Sequence, residues 1–122
     1  RNEEEDTTTT TQQQVQTMEL ADLGPYPATS VKANYNRENC ELTISWNKPT
    51  TGEINSYRVN RYTRDKQDIV CGDIKSNGKS EYSCTDNYCG WIPGEGYTYS
   101  VITYSNDFQY SQSDIKVTFK SI

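Results

Sequence analysis

Apolar and polar residues alternate in short runs along most of this chain. In CELTISW, Cys40, Leu42, Ile44 and Trp46 fall on one face, with Glu41, Thr43 and Ser45 on the other. SVKANY alternates in the same way, YRV places Tyr57 with Val59, YTYSV aligns Tyr97, Tyr99 and Val101, and DIKVTF aligns Ile115, Val117 and Phe119. A period of two is the mark of a strand with one buried face. Clusters of turn-forming residues separate these runs at KPTTGE, TRDKQD, SNGK, IPGEG and SNDFQ. No window of a dozen residues keeps a helical period. About seven short strands within roughly 97 residues predict an all-β antiparallel sandwich.

The first 24 residues break this pattern. RNEEEDTTTTTQQQVQT is polar, repetitive and almost free of apolar side chains, so it has too little surface to bury against the entropy of ordering. Residues 1–24 read as a disordered acidic, Thr- and Gln-rich linker, and residues 25–122 as one domain entered at PYP. Two alternatives stand beside this: the Thr run as an O-glycosylated stalk, and MELADLG as a short turn against the domain. Beginning in mid-tract, the chain reads as a piece of a larger protein.

Charge sharpens the picture. Of the formal net charge of -5, residues 1–24 carry six acids against Arg1, while residues 25–122 hold eleven acids and eleven bases. A neutral domain with scattered Lys and Arg has no footprint for phosphate backbones, which argues against nucleic acid and anionic membrane surfaces as partners. No apolar run of about 20 residues is present for membrane insertion. The four cysteines, with no histidine and no CxxC spacing, favour two disulfides over zinc and hence an oxidising, extracellular compartment.

CGDIKSNGKSEYSC, residues 71–84, sets an Asn-Gly pair midway between two cysteines. If Asn77 and Gly78 form a two-residue type I' turn, the flanking strands pair with Cys71 opposite Cys84, at a separation that a disulfide spans. The competing reading is a polar surface loop with an accidental symmetry.

Catalytic chemistry finds no support. Without histidine, Ser-His and Cys-His arrangements are excluded. No carboxylate pair has a recognisable spacing, and no phosphate-binding or calcium-loop motif occurs. IPGEG is a turn before a strand, with no helix N-terminus to hold a phosphate. The expected domain is non-catalytic and needs no cofactor or metal.

ELTISWNKP, then INSYRVNRY, then WIPGEGYTYSV resemble the motifs of a fibronectin type III domain. The residues carrying the match are Trp46 and Pro49, Tyr57 and Val59, and Trp91, Pro93, Tyr97, Tyr99 and Val101. The resemblance covers residues 25–122 and implies an immunoglobulin-like β-sandwich of seven antiparallel strands with fibronectin type III topology. It also implies that Tyr97 is the tyrosine corner, its hydroxyl returning to the backbone just upstream. In that topology Cys40 and Cys89 lie at the same end, which pairs them and leaves Cys71 with Cys84. Trp91 departs from the family's usual Leu, TDNYCG is longer than usual, and the cysteines are atypical.

Such a domain acts through its surface. Two surfaces are candidates for binding protein. One is the loop SNDFQYSQS, where Phe108 and Tyr110 stand among small polar residues, a composition that gives rigid amphipathic contact area; the competing reading folds these rings over the core edge. The other is a sheet face: with Val101 inward, Ile102 and Tyr104 point outward beside Tyr62 as an exposed apolar patch. The expected function is an extracellular protein-binding or spacer module of a receptor or adhesion protein, monomeric in isolation. Two other readings are an accessory domain attached to an enzyme, such as a receptor-type phosphatase, and a secreted effector or inhibitor binding through residues 105–113.

Overall fold

The computed structural model describes residues 24–121; the expected linker, but for Gly24, lies outside the described residues. Seven strands follow one another: β1 (Thr29–Asn36), β2 (Glu41–Asn47), β3 (Ile54–Thr63), β4 (Lys66–Lys75), β5 (Glu81–Asp86), β6 (Gly96–Ser105) and β7 (Tyr110–Thr118). They form two antiparallel sheets, in the orders β1-β2-β5 and β4-β3-β6-β7. This is the seven-stranded sandwich that the alternation predicts, with no helix among the described residues.

The pleat selects the core. On β2, Leu42, Ile44 and Trp46 are buried while Thr43 and Ser45 stay partly exposed; on β5, Tyr82, Cys84 and Asp86 point inward and Glu81, Ser83 and Thr85 outward. From the opposite sheet come Tyr57, Val59, Tyr97, Tyr99 and Val101. Trp46, Tyr57 and Tyr82 form an aromatic cluster across the gap, with ring centroids 4.8–6.2 Å apart. Aromatic contacts of this kind contribute about 0.5–1.5 kcal/mol each beyond area burial.

Cys71 and Cys84 are joined, but not across a hairpin. β4 pairs only with β3, and β5 only with β2, so the two strands belong to different sheets. Of the Asn-Gly pair, Gly78 alone takes positive φ, at +85°, where a type I' turn needs both. The reason lies in the core: Tyr82 and Cys84 must face Tyr57 and Cys71 across the gap, and side-by-side pairing would forfeit the stacking of Tyr82. Thus the disulfide, with Cα atoms 6.3 Å apart, crosses between sheets and closes one side of the sandwich. The opposite side is closed by the Ser113 hydroxyl, which donates to the Ala28 carbonyl at 2.6 Å.

The second disulfide joins Cys40, just before β2, to Cys89 in the β5–β6 connection, with Cα atoms 5.4 Å apart. Sequence separations of 13 and 49 residues correspond to about 3 and about 4 kcal/mol of restricted unfolded-chain entropy. Beside the second bridge, Tyr35, Tyr88, Trp91, Tyr97 and Phe119 pack edge-on and stacked over that end of the core. The Tyr97 hydroxyl accepts from the Ile92 amide at 2.7 Å, the return to upstream backbone that a tyrosine corner makes.

Tyr57 is fully buried and its hydroxyl has no hydrogen-bond partner. Burial, helped by neighbouring Tyr82, raises its pKa from 10.0 to about 12. Below pH 10 both folded and unfolded chains keep this proton; between there and about 12 the unfolded chain ionises first, so the stability that Tyr57 contributes is lost as pH rises. Tyr57→Phe is expected to flatten that alkaline decline. At neutral pH it leaves stability unchanged or slightly raised, because it removes an unpaired polar group. Urea midpoints across this pH range check both statements.

Candidate functional site

Two ends of the sandwich offer distinct surfaces. At the end with the Cys40–Cys89 bridge, the chemistry is turned inward. The Asp86 carboxylate accepts from Arg61 Nη1 at 2.6 Å, from the Tyr99 hydroxyl at 2.6 Å and from the Tyr88 amide at 3.1 Å. Arg61 Nη2 reaches Asp68 at 3.1 Å, the Tyr88 ring covers the guanidinium at 4.0 Å, and Trp91 Nε1 donates to Tyr99 at 2.9 Å. Burial raises the Tyr99 pKa, reinforced by its bond to Asp86. For Arg61, burial alone would lower the pKa; hydrogen bonds and charge from Asp86 outweigh it and raise the value.

Arg61 and Tyr99 of one sheet both bond Asp86 of the other, so the network fastens the two sheets together, with Arg61 Nε left unpaired. Pattern reading missed it because Arg61 and Asp86 lie 25 residues apart. The one available signal was the departure at Trp91: a Leu there has no N–H to give to Tyr99. Asp86→Ala is expected to destabilise the domain by about 3–5 kcal/mol, since it leaves Arg61 buried without its closest counter-charge. Urea unfolding measures this; a loss below ~1 kcal/mol would contradict the assignment.

At the other end lies the turn between β6 and β7. Ser105 N–H donates to the Gln109 carbonyl at 2.9 Å and Phe108 N–H to the Ser105 carbonyl at 3.1 Å, closing a tight turn. Phe108 has φ +66°, a region that bulky residues rarely enter, and its ring is 80% exposed. The fold therefore holds this ring out in water. Tyr110, 60% exposed, stands at the start of β7 opposite Tyr104, with ring centroids 6.2 Å apart, and the Arg58 guanidinium lies 5.8 Å from the Tyr104 ring.

Supporting contacts fix this corner. Asn106 Nδ2 donates to Glu53 at 3.4 Å, tying the turn to the β2–β3 connection. A side chain on Gly24 would run into the Tyr110 carbonyl, with a Cβ only 2.6 Å from it, so the incoming chain lies directly against the start of β7. Between these segments is a shallow cleft of about 290 Å³, lined by Gly24, Pro25, Gly52, Glu53, Ser105 and Asp107. The Ser105 hydroxyl bonds the Asp107 carboxylate and lowers its pKa. Ser105→Ala is expected to move that pKa back up toward the ordinary carboxylate value, read by NMR titration of the Asp107 side chain; an unmoved pKa contradicts the turn described here.

The expected sheet-face patch takes a different form. Ile102 does point outward with Tyr104, but it is 6% exposed, because β6 is an inner strand with Arg58 of β3 and Gln112 of β7 on either side. Tyr62 does not adjoin Tyr104: it pairs with Thr98, whereas Tyr104 pairs with Ser56, six residues along β6 and roughly 20 Å away. Its hydroxyl accepts from Asn60 Nδ2 at 3.4 Å. The structure thus brings together Tyr110, Tyr104 and Arg58, with Phe108 on the adjoining turn, and leaves Tyr62 and Ile102 out of that group. Among the described residues no group of three or more His, Cys, Asp or Glu gathers to hold a metal ion.

With fold and surfaces described, the likeness to known structures is informative. The chain superposes on an Fn3-like protein from Clostridium thermocellum at 21% identity and TM-score 0.56, over 82% of this chain and 97% of that one. It superposes on chicken CNTN1 FN1-FN3 domains at 16% identity and TM-score 0.57, covering 80% of this chain and 33% of that one. It also matches the Clostridium perfringens spore cortex lytic enzyme SleM at 13% identity and TM-score 0.57, over 78% of this chain and 28% of that one. No protein-family profile matches the chain, and no curated protein matches it by sequence. The chain has the fibronectin type III fold, an all-β sandwich of seven antiparallel strands.

Proposed function

We propose that this domain is a non-catalytic, extracellular module that binds another protein through the corner formed by Phe108, Tyr110, Tyr104 and Arg58. The observation that carries the reading is Phe108: a bulky ring at φ +66°, 80% exposed, on a turn closed by two backbone hydrogen bonds. Local strain of this kind costs about 1–3 kcal/mol, and it persists where the surrounding structure enforces it. A rigid exposed aromatic with a Tyr and an Arg beside it has the composition of a binding hot spot. Two disulfides support an oxidising compartment, and a core filled by its own side chains supports binding over catalysis.

A second reading, an accessory domain beside a catalytic one, is favoured by the match to part of a spore cortex lytic enzyme. There the domain would space or orient its neighbour, and the corner would carry no energy. Immobilised wild-type domain titrated against a panel of ectodomains separates the two. Binding that Phe108→Ala weakens by roughly thirtyfold, the scale of a 2 kcal/mol hot spot, with Tyr110→Ala also weaker, supports the corner. Partners bound equally well by wild type and both variants support the spacer reading.

A further inference from the structure

The sequence holds one Asn-Gly pair, Asn77-Gly78, and the fold does not use it as a hairpin turn. It sits instead on the connection between the two sheets, and its chemistry is what remains unexplained. We propose that Asn77 is a site of spontaneous deamidation in the folded protein, a slow modification that places a new negative charge on the β4–β5 connection.

The step balances with water alone. The Gly78 main-chain nitrogen, having given its proton to hydroxide or a buffer base, attacks Cγ of Asn77. The new N–C bond closes a five-membered succinimide, the side-chain nitrogen takes a proton back from water or the protonated base, its bond to Cγ breaks, and it leaves as ammonia. Water then adds to either ring carbonyl and opens the ring. The products are aspartate or isoaspartate at position 77, the latter with one extra methylene in the main chain.

Three features of the fold favour this reaction. First, access: Asn77, Gly78 and Lys79 are exposed, and no atom lies within 4 Å of where a Cβ on Gly78 would stand, so nothing blocks approach of nitrogen to side chain. Any other residue at position 78 would put a side chain beside the attacking nitrogen. Second, activation: Lys79 N–H donates to Asn77 Oδ1 at 3.1 Å, and Oδ1 is the atom on which negative charge develops as nitrogen attacks Cγ. A donor already aimed there is a small oxyanion hole, effective because it needs no reorganisation. Third, freedom: the chain is fastened on either side of the pair, by Ser76 N–H to the Asn55 carbonyl at 3.0 Å and Lys48 N–H to the Ser80 carbonyl at 2.9 Å. Among the described residues the Gly78 amide itself makes no hydrogen bond, so no partner must be given up before it ionises.

The other asparagines among the described residues lack this combination. Asn55 and Asn60 lie in β3, where the ladder holds the backbone extended. Asn87 and Asn106 lie in connections, but Tyr88 and Asp107 follow them, each with a side chain to obstruct attack, and Asn106 is engaged by Glu53. The consequence reaches the core through one contact: Asn77 N–H donates at 3.2 Å to the hydroxyl of Tyr82, whose ring stacks on Trp46 and lies tilted against Tyr57. An added methylene at position 77 displaces that donor.

The test uses the full chain with disulfides intact, aged in mildly alkaline buffer at physiological temperature and then reduced and cleaved after aromatic residues. The peptide 63–82 reports position 77 by a gain of one dalton and by a second chromatographic species for isoaspartate, and the peptide 105–108 reports Asn106. Position 77 is expected to convert about tenfold or more faster than Asn106, equivalent to about 1.4 kcal/mol of barrier. Its rate in the folded chain should exceed a tenth of that in the reduced, urea-unfolded chain. A conversion no faster than that of Asn106, or suppressed by folding below that tenth, overturns the proposal. Asn77→Gln, whose longer side chain closes only a strained-to-reach six-membered ring, should abolish the signal; persistence of the mass gain in this variant would place the modification elsewhere and equally overturn it.

Discussion

A carboxylate buried between two sheets constrains everything around it. Asp86 belongs to β5, in the three-stranded sheet, while Arg61 and Tyr99 belong to β3 and β6, in the four-stranded one. Hydrophobic contact alone is tolerant of sliding, since one apolar ring packs nearly as well as another. A charge in the interior is not tolerant, because an unmet carboxylate there costs several kcal/mol. Once Arg61 and Tyr99 must both reach Asp86, the registers of β3, β5 and β6 are fixed relative to one another. Trp91 and Tyr88 then have defined places over the network, and the β5–β6 connection that carries Cys89 follows them.

That fastening occupies one end and leaves the other available. The sandwich sides are closed by Cys71–Cys84 on one flank and by Ser113 to Ala28 on the other. What remains in water at the far end is the β6–β7 turn, with Phe108 in a left-handed conformation that the hairpin around it enforces. The turn's two backbone hydrogen bonds hold the main chain that carries the exposed ring. The same scaffold that hides polar groups at one end presents apolar ones at the other.

Strand content and the inward residues of β2, β3 and β6 were legible because they depend on local periodicity, while the tyrosine corner came from the resemblance to the fibronectin type III motifs. The pattern Leu42, Ile44, Trp46 marks a buried face whatever its partner. Even the bridge between Cys71 and Cys84 was anticipated, although by way of a hairpin that does not exist. Both arrangements bring the two cysteines together, and only one lets Tyr82 stack on Trp46 and pack against Tyr57. Ile102 shows the same limit: its outward direction follows from Val101, while its burial depends on Arg58 and Gln112, from strands joined to it by register.

By itself, then, the sequence determined which residues turn inward, where the chain reverses, and that nothing in it can act as a histidine-based catalyst. These follow from the pleat, from turn chemistry and from composition, all of which are properties of neighbours along the chain. Tertiary structure alone decided which sheet each strand joins, that Arg61 meets Asp86, and that Tyr110 lies beside Tyr104 while Tyr62 stands apart. Those are choices among non-local partners, made by the joint demand to bury aromatic rings and satisfy an interior charge, and no short window of residues contains them.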